Sequence, residues 1–70
     1  MANVHAEVAG KVWKVMVAVG DAVAAGDPLV VVESMKMEIP VEAPRAGTVV
    51  ALHVHEGDAL DEGALVAVLA

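Results

Sequence analysis

The sequence predicts an all-β domain closed around a pseudo-two-fold axis, and three observations carry that reading. Short valine-rich segments are cut by Gly-Asp, Gly-Asp-Pro, Ala-Pro and Glu-Gly-Asp, which are strand and turn signals rather than helical ones. Gly10, Gly20, Asp21 and Gly26 recur at an offset of 37 as Gly47, Gly57, Asp58 and Gly63, and Val23 recurs as Leu60. A period seen only twice makes two facing halves and not a solenoid, which needs roughly three repeats or more. The chain is also 59% apolar, with no Cys and one aromatic side chain, Trp13, so β-branched residues must supply the core.

Each element follows in chain order. Val12, Val15 and Val17 correspond to Val49, Leu52 and Val54 in the second half. Val15, Val17 and Val19 alternate as one face of a half-buried strand, but the step from Val12 to Val15 is odd and requires a bulge. The step from Val49 to Leu52 repeats it. Such bulges turn Trp13 and Val50 outward, with Lys14 and Ala51 as the extra residues. Ala22, Ala24 and Ala25 are bracketed too closely by Gly20 and Gly26 for a helix, so a compact turn is expected there. Leu29 to Val32 reads as a buried strand, and Ile39, Val41 and Ala43 alternate as another. Glu33-Ser34-Met35-Lys36-Met37-Glu38 joins them as a hairpin, between quasi-repeats at about 8–33 and 43–70.

Size and charge bound the function. At 7.1 kDa, residues 1–70 make one domain. A formal net charge of −6 repels phosphate backbones and anionic lipid, so neither nucleic acid nor membrane is an expected partner. The longest apolar run, Ala64 to Ala70, is far short of the roughly 18 residues that a membrane-spanning helix needs. With no secretory leader at Met1, a cytoplasmic location is the expectation.

One segment stands out chemically. Lys36 lies between Met35 and Met37 with Glu33 and Glu38 just beyond, and two flexible apolar side chains at a loop tip suit a partner surface. Composition by itself also allows both methionines to fold back onto the end of the barrel. His53 and His55, two apart on a strand, share a solvent face, but no Cys and no placed third ligand accompany them, so no metal site is expected. Asp21, Asp27, Asp58, Asp61 and Glu62 sit in turns, where such residues are ordinary. Ser34 lacks a Gly-x-Ser-x-Gly setting, and no phosphate-cradling glycine pattern is present. No catalytic residue is expected.

The string Glu33-Ser34-Met35-Lys36-Met37-Glu38-Ile39-Pro40, set between two Gly-Asp turns, resembles the biotinyl domain of biotin-dependent carboxylases, nearest the short free-standing biotin/lipoyl attachment proteins. The resemblance covers nearly the whole chain: Gly20-Asp21-x-Val23-x-x-Gly26, Leu29, the Met35-Lys36-Met37 triplet, Ala43-Pro44, Gly47 and Gly57-Asp58-x-Leu60-x-x-Gly63. It implies a flattened β-barrel of two four-stranded antiparallel sheets, the single hybrid motif, with the lysine hairpin opposite the termini. It implies biotin on the ε-nitrogen of Lys36, with Met35 and Met37 read by a biotin protein ligase and Glu33, Ser34 and Glu38 flanking them. The swinging biotin would carry CO2 from a biotin carboxylase site to a carboxyltransferase site, as in acetyl-CoA carboxylase and fatty acid biosynthesis. The domain itself would be a monomeric, non-catalytic carrier. Ser34 replaces the Ala of many relatives, and the protruding loop of one bacterial carrier subunit is absent. A lipoyl carrier, which usually has Asp before its lysine and Ala after it, and an unmodified interaction module are the alternatives.

Overall fold

The computed structural model describes all 70 residues and contains only strands. They are β1 (Ala2–His5), β2 (Gly10–Val15), β3 (Ala22–Val23), β4 (Pro28–Ser34), β5 (Met37–Glu42), β6 (Gly47–Leu52), β7 (Ala59–Leu60) and β8 (Leu65–Leu69). Two four-stranded antiparallel sheets form, in the orders β1-β8-β6-β3 and β5-β4-β2-β7. Adding four to each strand number of the first order gives the second, so the halves exchange under a two-fold. No helix is long and apolar enough to cross a membrane.

The core obeys the same symmetry. Of its 15 buried residues, 14 fall into pairs separated by 37: Val4 with Val41, Ala6 with Ala43, Val12 with Val49, Val23 with Leu60, Leu29 with Val66, Val30 with Ala67, and Val32 with Leu69. The unpaired member is Val54, whose counterpart Val17 packs against the core while partly exposed. All 15 are apolar, and no polar side chain is buried. The equivalence takes in β1 and the second part of β5, beyond the segments reached by the repeated glycines.

Both bulges occur where the odd steps place them, and Trp13 and Val50 point outward, 50% and 40% exposed. The extra residue is not the one expected. Pairing passes from Val12↔Val32 to Lys14↔Val31 and from Val49↔Leu69 to Ala51↔Val68, so Trp13 and Val50, rather than Lys14 and Ala51, are skipped. The valine alternation also ends early. β2 stops at Val15, and Val19 is 61% exposed in a turn. There Gly20 N–H donates to Val49 O, drawing the chain across to β6. Ala22–Val23 is a short strand, not part of a turn, because it pairs with Thr48 and Gly47.

Gly-Asp turns close by one reciprocal device. Asp21 N–H donates to Ala18 O at 3.0 Å, and the Asp21 carboxylate accepts Ala18 N–H at 2.9 Å. Asp58 repeats this with His55, and Asp27 with Ala24. The aspartates are thus turn clamps. The preceding glycines, Gly20 at φ 99° and Gly57 at φ 93°, adopt a backbone that a side chain resists. Gly10 is glycine for another reason: a Cβ there would meet the Glu33 carbonyl and lie 2.7 Å from Val32 Cγ1.

These two kinds of glycine should respond differently. Gly20→Ala and Gly57→Ala should each cost roughly 1 kcal/mol or more through backbone conformation alone. Gly10→Ala should lower the melting midpoint further, because β4 itself must shift. Circular dichroism melts of the three variants rank them, and a Gly10→Ala midpoint above the other two would contradict the packing.

Candidate functional site

β4 and β5 stay paired to their ends: Val32↔Ile39, Glu33↔Glu38, Ser34↔Met37. The hairpin is therefore longer in strand and shorter in loop than the six-residue tip expected from sequence. Only Met35 and Lys36 remain as the turn. Two-residue loops favour backbones with positive φ at both central positions, because that twist matches the flanking strands, and Asn-Gly is the usual occupant. Here Met35 has φ 51° and Lys36 φ 64°, the only non-glycine residues at positive φ in the protein. Each such residue costs roughly 1 kcal/mol or more relative to the ordinary regions.

At the apex the side chains are in water. Met35 is 92% exposed and Met37 61%, so the arrangement in which they fold back onto the barrel does not occur. Lys36 is exposed and makes no ion pair; the one contact within 4.0 Å between a basic and an acidic side chain in the protein is His55 Nδ1 with Asp58 Oδ2. Ser34 is half-buried in the closing pair, while Glu33 and Glu38 face each other across the strands, both exposed. Like charges directly opposite destabilise a pair, so the tip carries a second unfavourable feature besides its turn. A primary amine held clear of the protein, at the end of a paired ribbon, suits acylation by an external enzyme. Lys11 and Lys14 are exposed too, but they lie within β2.

Beside the hairpin, a shallow cleft of about 250 Å³ is lined by Lys11, Val12, Trp13, Glu33 and Gly57. Sequence alone could not assemble it, because it needs the β2–β4 pairing and the turn before β7 together. The outward Trp13 was its only advance sign. A larger groove of about 520 Å³ runs between the edge strands β1 and β5 and includes neither Lys36 nor the methionines. His53 and His55 are exposed, but they follow β6 and are not on a strand, and the His55 N–H donates to the Asp58 carboxylate at 2.8 Å. No group of three His, Cys, Asp or Glu side chains is arranged for a metal ion.

A family model described as biotin-requiring enzyme matches residues 1–69. The chain is 48% identical over 67 residues to the biotinylated protein TB7.3 homolog of Mycobacterium leprae, covering 96% of this chain and 94% of that protein. It is 47% identical over 66 residues to a urea amidolyase of Lachancea kluyveri, covering 94% of this chain but only 4% of the longer protein. The crystal structure of the Kluyveromyces lactis urea carboxylase superposes with a TM-score of 0.94 at 39% identity, covering 99% of this chain and 6% of that one. The two-sheet architecture expected from the sequence is thus also that of the matching part of a solved relative.

The turn geometry makes a stability prediction. Asn tolerates the left-handed backbone better than Met, so Met35→Asn should raise the melting midpoint, by a few degrees if about 0.5–1 kcal/mol of strain is relieved. Met35→Ile, which is β-branched, should lower it. Thermal melts of both decide the matter, and a lowered midpoint for Met35→Asn would show that the turn is not strained at this position.

Proposed function

The chain belongs to the family of biotin-requiring enzymes, and on that footing we propose that residues 1–70 form one carrier module whose Lys36 is biotinylated. The observation that carries this reading is the Met35-Lys36 apex, where a free amine stands on a strained two-residue turn between exposed methionines. An exposed lysine amine is protonated at neutral pH and does not acylate itself. A biotin protein ligase removes the proton and presents biotinyl-adenylate. Nζ attacks the acyl carbon, the new N–C bond forms and AMP leaves. The chain is substrate and carrier, not an enzyme.

The bound group supplies the carboxyl-carrying chemistry that the protein's own side chains lack. The hairpin presents Nζ away from the barrel, so a flexible arm can visit a biotin carboxylase and a carboxyltransferase at a local concentration of order millimolar. Acylation also removes the Lys36 charge, making the formal net charge one unit more negative than −6. Within such an assembly we place the module as a monomer in the cytoplasm, serving an acyl-CoA carboxylase or a related system. The acyl acceptor is set by the transferase. The lipoyl reading is the second choice because Met, not Asp and Ala, flanks the lysine.

Incubation with biotin ligase, biotin and ATP should add one biotinyl mass to the intact protein. Lys36→Arg should abolish it, and label persisting on that variant would overturn the assignment. Met35→Asp combined with Met37→Ala should slow biotinylation sharply without lowering the melting midpoint. A parental rate for the double variant would show that the ligase ignores the methionines.

A further inference from the structure

We propose that Met35 and Met37 are sites of reversible oxidation by hydroperoxides and that their sulfoxides close the chain to biotinylation, an inference that rests on the carrier reading above. The first observation is where the sulfur lies. The protein has no Cys, so its four methionine thioethers are its only sulfur atoms, and two of them sit on either side of the acceptor lysine. Susceptibility to peroxide follows access, and Met35 is 92% exposed and Met37 61%. Met1 is as open as Met35 but stands next to the Ala2↔Leu69 pair and not on the hairpin.

The second observation is that folding does not depend on these thioethers. No methionine belongs to the core, which is Val, Leu and Ala throughout. Oxidising a buried methionine breaks its packing and is damage. At the apex it alters only what a partner meets, because the Ser34↔Met37 pairing closes the turn. The change is therefore reversible in a folded chain.

The step consumes one hydroperoxide per sulfur. The thioether sulfur attacks the outer peroxide oxygen, an S–O bond forms as the O–O bond breaks, and the leaving oxygen takes up a proton to become an alcohol, or water from hydrogen peroxide. Sulfur loses two electrons and the peroxide gains them. Formal charge stays at −6, so the signal is polarity alone: a soft apolar side chain acquires a strong hydrogen-bond acceptor. A ligase surface that buries the thioether must leave that oxygen unpaired away from water, which slows acceptance by roughly tenfold or more for each sulfoxide. Sulfoxides this open are also within reach of methionine sulfoxide reductases, one for each epimer, and reduction restores both thioethers. Entry of biotin is thus gated before Lys36 is acylated.

Unmodified protein is treated with graded hydrogen peroxide, freed of it and mapped by peptide mass. Its kcat/KM with biotin ligase should fall roughly tenfold or more as residues 35 and 37 each gain one oxygen, in step with those two and not with Met1. Incubation with both reductases and a thiol should restore the rate. Met16→Leu, which removes the half-exposed fourth methionine, should respond to peroxide as the parent does and keep its melting midpoint after oxidation. In Met35→Leu combined with Met37→Leu, whatever the starting rate, peroxide should have no effect. A parental rate with both sulfoxides present, a loss that the reductases do not reverse, a loss retained by the double leucine variant, or a lowered midpoint in oxidised Met16→Leu would each overturn the switch and leave the carrier reading intact. Absence of any biotinyl mass on the unoxidised chain would overturn both.

Discussion

Everything in this domain follows from filling a core with side chains no larger than leucine. The interior holds Val, Leu and Ala and no polar group, so nothing but close approach of two sheets can exclude water from it. The result is a narrow body, 31 × 18 × 17 Å. Using one pattern twice simplifies the packing problem, because nearly every buried position has a symmetry counterpart that is also a small apolar side chain. Seven pairs separated by 37 residues make up almost the entire core. Close sheets leave little room at their ends, so the chain reverses through turns of minimal length, with glycine at positive φ and an aspartate closing the reciprocal hydrogen bonds.

The outer surfaces answer to different demands. A bulge in β2 and another in β6 release Trp13 and Val50 from the core while the preceding Val12 and Val49 stay buried. At the free edge, β5 carries Pro40, which has no N–H to offer another strand and so discourages edge pairing. β5 remains paired with β4 up to Ser34↔Met37. The apex is therefore a stiff projection, and mobility in a modified Lys36 would belong to the arm and not to the loop beneath it.

How far the sequence foretells this depends on whether a feature is local or shared between strands. The repeated glycines, the Gly-Asp turns and the odd steps at Val12 and Val49 are local, and each is readable. The residue skipped by a bulge was not, because Trp13 and Lys14 both face outward and only the pairing with Val32 and Val31 separates them. Val19 leaves the strand for a similar reason: its alternation with Val15 and Val17 is genuine, but the Gly20 hydrogen bond to Val49 turns the chain first. The tip is shorter than its six-residue sequence pattern because Ser34 and Met37, which have no strong strand signature, are paired through register alone. The triplet around Lys36 was legible as a motif; its backbone conformation was not, since Met-Lys does not advertise a turn that usually selects Asn-Gly.

The symmetry also shows what is special about that turn. The two-fold that exchanges β4 and β5 with β8 and β1 carries the Met35-Lys36 connection onto the gap between Leu69 and Ala2, where those strands pair with no connection at all. Pairing on that side survives without a turn, so the fold asks little of the residues that occupy this one. Their identities are free to serve something else. A turn answering to folding alone would favour Asn or Gly, each removing roughly 1 kcal/mol of unfavourable backbone energy from a domain whose total stability is about 5–15 kcal/mol. Met35 and Lys36 retain that strain, beside the like-charged pair Glu33 and Glu38. Two unfavourable features thus stand together at the one place where folding requires neither, which accords with the carrier role proposed for Lys36.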